Sequence, residues 1–157
     1  MNNIDEQQGQ QVTDVDTDYI LAEQVGFLLR RAHQRASLIF KSRFESKSLT
    51  PQQFAVLAKL YEVSEVTQNK LGRLVDMDPA SLQGVIQRLK QRGFVLRTQD
   101  PLHKRRLKMQ LTDEGKEMVK SCFDLGRQVS RETLKPLDKT RRYELIRLLK
   151  MISDGQS

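Results

Sequence analysis

One cysteine and two histidines in 157 residues leave little scope for thiol or metal chemistry. Cys122 has no second thiol with which to close a disulfide inside the chain, and usage this sparse fits a reducing compartment. His33 and His103 lie far apart, so no zinc-like ligand set is spelled out. No apolar run approaches the roughly 20 residues needed to span a bilayer. The acidic, Gln-rich start has neither a basic stretch nor an apolar core, so no secretory leader is expected. Phosphate-cradling glycine loops, nucleophile motifs and paired carboxylates are missing as well. Internal repeats and low-complexity runs are also lacking. These gaps exclude membrane, secreted and disulfide-framework classes and give no support to an enzyme. The chain reads as one cytoplasmic domain, or one protomer of an oligomer, needing no cofactor or metal.

What it has is charge, unevenly placed. The chain carries 27 Lys/Arg against 20 Asp/Glu, a net +7. The stretch from Thr67 to Thr112 alone holds ten Lys/Arg and three acids, so the entire surplus sits in it and the rest sums to zero. A surplus so confined is the footprint of a polyanionic partner, and double-stranded DNA is the leading candidate.

The same stretch has an internal order. Gln68 to Val75 has a helical pattern with Leu71, Leu74 and Val75 on one side. Asp76-Met77-Asp78 forms a turn ending in a good N-cap, and Pro79 occupies the first helical position, where a missing N–H costs nothing. The helix that follows to about Arg92 buries Leu82, Val85, Ile86 and Leu89, spaced i, i+3, i+4, i+7. Gly93 ends it. Phe94 to Gln99 and Leu107 to Leu111 read as two strands joined by a basic tip. Helix, turn, helix and two-stranded ribbon make a winged helix-turn-helix, whose second helix ordinarily reads the major groove.

On either side lie longer helices. Tyr19 to about Glu45 carries an apolar stripe of Leu21, Val25, Leu28, Ala32, Ala36 and Ile39, widened by Phe27, Leu29 and Phe40 beyond the needs of one neighbour. Ser48 to Tyr61 opens on Thr50-Pro51-Gln52-Gln53, a capping box in outline. Asp113 to Leu134 starts acidic, which suits the helix dipole. Leu137 to Ile152 ends the chain on another apolar stripe. The fold class is therefore mainly α with a small β-wing. Residues 1–17 read as a disordered tail, 48–112 as the DNA-binding unit, and 18–47 with 113–157 as helical dimerisation elements.

Three runs carry a resemblance to a known family. They are Asp100-Pro101 … Lys104-Arg105 … Leu111-Thr112-Asp113-Glu114-Gly115, Arg88-Leu89-Lys90 … Gly93-Phe94-Val95, and Leu49-Thr50-Pro51-Gln52-Gln53-Phe54. Together they resemble the MarR family of bacterial regulators over roughly Asp18 to Ile152. In one departure, His103 stands where many members carry an acid. The resemblance implies a homodimer with intertwined terminal helices. Its two recognition helices would stand about one DNA turn apart (~34 Å) and read a pseudo-palindrome. It also implies a repressor released by a small effector.

Site residues follow from both readings. On the recognition helix, Ala80, Gly84, Gln87 and Gln91 face away from the buried stripe, flanked by Ser81, Gln83 and Arg88. Small residues admit the backbone to the bases, Gln suits adenine and Arg suits guanine. On the wing, Lys104, Arg105 and Arg106 form the densest basic cluster. One of the two arginines should face DNA, and the resemblance makes it Arg105. Thr67, Gln68 and Asn69 open a helix whose N–H groups either hold a phosphate or are simply capped. For an effector, relatives that sense aromatic carboxylates or phenols direct attention to Arg31, His33 and Ser37 on the first helix, with Phe27, Phe54 and Tyr61 as apolar lining. Cys122, on an apolar helical face, leaves a thiol redox sensor as the alternative mode of regulation.

Overall fold

The computed structural model describes residues 19–99 and 107–155. Its helices are α1 (Val25–Phe44), α2 (Pro51–Val63), α3 (Gln68–Leu74), α4 (Pro79–Gln91), α5 (Asp113–Thr133) and α6 (Lys139–Ser153). Its strands are β1 (Glu65–Thr67), β2 (Val95–Gln99) and β3 (Leu107–Leu111). The class is mainly α with a small sheet.

Local chemistry sets the ends of these elements. Thr50 caps α2 in a full capping box: Gln53 N donates to Thr50 Oγ1 at 3.2 Å and Thr50 N donates to Gln53 Oε1 at 3.0 Å. Asp78 accepts from Ser81 N at 2.9 Å, and Pro79 is the first residue of α4. At the other end of α4, Gly93 takes φ 75°, while Gly93 N reaches Lys90 O and Phe94 N reaches Leu89 O. That is the paired closure of a Schellman turn, and it needs the left-handed residue. Thr112 accepts from Gly115 N at 2.9 Å and donates to Gly93 O at 2.6 Å, tying the start of α5 to the end of α4.

Three boundaries differ from the sequence expectation. The first helix starts at Val25, behind a short 3-10 turn at Leu21–Glu23, because Gln24 is extended and interrupts the coil. The second starts at Pro51, since Ser48 lies in the left-handed region at φ 51°. The last starts at Lys139, where Asp138 caps it by accepting from Arg141 N. The sheet also differs: it has three antiparallel strands in the order β1-β3-β2, not two. Glu65–Thr67 adds to β3 with Val66 opposite Met109.

α2 lies at the centre of the fold, touching α3, α4, α5, β1 and β3. Val56, Leu57 and Leu60 from α2 meet Leu71, Leu82, Ile86, Leu89, Met109 and Val119 in one buried cluster. The expected α4 stripe of Leu82, Val85, Ile86 and Leu89 is buried in full. α1 packs along α5, closed at one end by Phe40, Phe44 and Phe54, with Phe40 and Phe44 stacked at 3.9 Å and Phe54 tilted on Phe44 at 4.9 Å. α6 has no buried residue, and Tyr143, Ile146, Leu148, Met151 and Ile152 on it are exposed. Leu21, Val25, Leu28, Leu29 and Leu38 near and on α1 are exposed too.

Candidate nucleic-acid interface

α3, the turn and α4 form the helix-turn-helix. The turn is tight: Met77 N donates to Gly72 O at 3.0 Å, and a Cβ on buried Gly72 would press on Met77 O at 3.1 Å. With its apolar stripe buried, α4 turns the opposite face outward. Ala80, Ser81, Gln83, Gln87, Arg88 and Gln91 are exposed and Gly84 is half-buried. The Arg88 guanidinium lies back over Gly84, 3.6 Å from where a Cβ would stand.

Five of the nine Lys/Arg of α5 and α6 pair with neighbouring acids, as in Lys116–Asp113, Lys120–Glu117 and Arg147–Glu144. Among the described residues, Lys70, Arg73, Arg88 and Lys90 around the helix-turn-helix have no acidic partner. Uncompensated cations on an exposed face are what phosphate binding uses. Lys108 is different, since it bridges Glu65 across β1 and β3 at 2.8 Å. The carboxyl of Asp78 is held below the usual carboxylate range, chiefly by the hydrogen bonds of Ser81, so the cap of α4 stays charged at neutral pH.

At the start of α3 the arrangement departs from expectation. Thr67 occupies the N-cap position but its side chain makes no cap bond, and its backbone ends β1. Gln68 turns its amide toward α4, donating to Gln83 Oε1 at 2.9 Å. Asn69 is exposed. Arg97 on β2 joins this pair, donating to Gln83 Oε1 at 2.8 Å and to Gln68 Oε1 at 3.2 Å. Arg97 was not singled out from sequence. It shares the strand face of buried Val95 and lies opposite buried Met109, and its partners on α4 and α3 are 14 and 29 residues away, so no local pattern marks it. The wing-tip candidates Lys104, Arg105 and Arg106, with His103, lie outside the described residues, as does the tail over residues 1–17.

The effector candidates fall into separate groups. Phe27 underlies Arg30 and Arg31, with their guanidinium carbons 5.1 and 5.9 Å from the ring centre. His33 Nε2 and Ser37 Oγ lie 3.4 Å apart on a different side of α1. Phe54 belongs to the aromatic cluster with Phe40 and Phe44, and Tyr61 meets Phe123 edge-on at 5.3 Å. Arg31 lines an open groove on α1 with Leu28, Ala32, Arg35, Leu38 and Ile39. Tyr61 lines a second hollow with Leu60, Ser64, Gln110, Leu111 and Lys116. Within a single chain, then, the six residues do not converge on one cavity. Cys122 is fully buried, and that burial raises its thiol pKa, keeping it in the unreactive protonated form.

Among the described residues no helix is long and apolar enough to cross a membrane, and no cluster of three or more His, Cys, Asp or Glu is placed to hold a metal. A family model for the MarR family matches residues 49–107, from just before α2 through the helix-turn-helix and β2 to the first residue of β3. The HTH-type transcriptional repressor NicR of Pseudomonas putida is 32% identical over 140 residues, covering 89% of each chain. A probable transcriptional regulator from Pseudomonas aeruginosa superimposes with a TM-score of 0.82 at 37% identity, covering 85% of this chain and 99% of its own. Bordetella bronchiseptica BpsR, whose DNA binding is regulated by 6-hydroxynicotinic acid, gives 0.85 at 33% identity, covering 88% and 99%. With this geometry and these likenesses, the chain belongs to the MarR family of transcriptional regulators.

Proposed function

We propose that the protein is a homodimeric cytoplasmic repressor that occupies a pseudo-palindromic operator and leaves it when a small aromatic carboxylate binds. The observation that carries DNA binding is the exposed α3–α4 face, on which Lys70, Arg73, Arg88 and Lys90 have no acidic partner among the described residues. In this reading residues 48–112 are the DNA-binding unit, with Ala80, Ser81, Gly84, Gln87 and Arg88 on the bases and Lys104 to Arg106 on the flanking groove. The dimer rests on the exposed apolar residues of α1 and α6, which exceed what a lone chain ordinarily leaves to water.

The repressing role draws on the relative NicR, a transcriptional repressor, and the effector class on BpsR, whose DNA binding is regulated by 6-hydroxynicotinic acid. A pyridine carboxylate needs a cation and an apolar platform, and the α1 groove offers Arg31 and Arg35 above Leu28 and Ile39. A partner subunit covering that groove would supply the remaining wall. Burial of Cys122 and its raised thiol pKa favour ligand sensing over thiol oxidation. The test is a panel of benzoates, hydroxycinnamates and pyridine carboxylates, scored by thermal shift and by release from operator DNA. Release by a pyridine carboxylate, lost in Arg31→Ala with DNA affinity intact, is expected. Binding unaffected by every member of the panel would remove this effector class.

A further inference from the structure

Gln83 stands on the exposed face of α4, yet its carbonyl oxygen is fully engaged from behind. It accepts from Gln68 Nε2 at 2.9 Å and from Arg97 Nη2 at 2.8 Å. An amide oxygen has two lone pairs, and both are taken. The orientation of the amide is not arbitrary, because a guanidinium has only donors and each glutamine must turn an oxygen toward it. Gln68 obeys the same constraint, giving its oxygen to Arg97 at 3.2 Å and its N–H to Gln83. The two glutamine oxygens are the hydrogen-bond acceptors that hold the Arg97 guanidinium, since its Nε is buried without a partner and no acid pairs with it among the described residues. The Gln83 NH2 group makes no hydrogen bond within the described protein and remains free.

Resting on the DNA-reading function proposed above, we propose that Arg97 sets the base preference of Gln83 by locking it as a donor. The usual pairing of glutamine with adenine needs its oxygen to accept from N6 while its nitrogen donates to N7. That fork would require Gln83 to give up two hydrogen bonds, one of them charge-assisted. An NH2 group presented alone matches guanine, whose major-groove edge offers two acceptors, N7 and O6. Arg97 thus acts as a positioning residue from the wing strand, without touching DNA itself.

The experiment is selection of duplexes from a randomised pool by the full-length protein and by Gln83→Ala, Arg97→Met and Gln83→Glu. The position read by Gln83 is the one whose preference Gln83→Ala abolishes. The parent should enrich guanine there. Arg97→Met frees the amide to flip, so the guanine-to-adenine ratio at that position should fall about tenfold while other positions keep their bases. Gln83→Glu keeps its bond to Arg97 and exchanges free donors for a free acceptor, so it should select cytosine, whose N4 donates. If Arg97→Met fails to fold, the base the parent selects at that position decides, guanine being expected and adenine overturning the proposal. Adenine at that position in the parent, an unchanged base in folded Arg97→Met, or no shift in Gln83→Glu overturns the proposal. A parent that enriches no sequence at all overturns the base-reading function, and this proposal with it.

Discussion

Gln87 and Arg88 stand exposed on α4 with no hydrogen-bond partner among the described residues, which leaves both free for base edges. Replacing either with alanine should cost about 1–3 kcal/mol of operator affinity and far less on random DNA, measured by fluorescence anisotropy on both. Equal losses on the two would make these phosphate contacts. Cys122 gives a second residue-level expectation. Burial raises its thiol pKa, so its contribution to stability is present below the unfolded value of about 8.5 and lost as pH rises through the folded one. The native protein should therefore react slowly with a disulfide reagent at pH 8, and Cys122→Ala should show a shallower alkaline loss of stability than the parent. Fast native labelling would return the thiol to consideration as a sensor. Residue roles that depend on neighbours in sequence were legible, as with the Thr50–Gln53 capping box, the Asp78 cap and Gly93. Arg97 was not, because its partners lie 14 and 29 residues away and meet it only after β2 has packed under α4.

Among the elements, α5 depends on one close approach. Gly115 is buried where α5 crosses the start of β2, and a Cβ there would drive into the Phe94 backbone rather than a side chain that could yield. Gly115→Ala should destabilise the fold by about 3 kcal/mol, read from urea unfolding, whereas Thr50→Ala at the α2 cap should cost about 1 kcal/mol. A fully stable Gly115→Ala protein would refute this account of the α5–β2 junction. Helix periodicity made the helices readable in advance, and the two wing strands were legible as the short runs on either side of the basic tip. β1 escaped notice because Glu65–Thr67 is too short to display alternation and exists only through its pairing with β3. The start of α1 was overrun for a related reason: the apolar stripe continues through Leu21, but extended Gln24 divides the backbone.

For the whole molecule, the exposed apolar residues of α6 and of the start of α1 demand a second surface. Light scattering of the intact protein at micromolar concentration should give a dimer, and Leu148→Asp with Ile152→Asp should weaken it while the helix-turn-helix stays folded. A well-behaved monomeric parent would overturn that assembly. The apolar surplus was visible in sequence as stripes wider than one neighbour requires. The effector candidates Phe27, Arg31, His33, Ser37, Phe54 and Tyr61 share charge or aromatic character, and in the folded chain their side chains form separate groups. Charge was the more dependable guide, since a surplus of +7 held within one segment survives any rearrangement of side chains. The central claim is sequence-specific DNA occupancy relieved by an aromatic carboxylate. Its most direct test is recovery of genomic DNA fragments by the purified full-length protein, with and without 6-hydroxynicotinic acid. The account predicts enrichment of a pseudo-palindrome with half-sites one helical turn apart, lost when the acid is present. Uniform recovery of all fragments, with or without the acid, would contradict it.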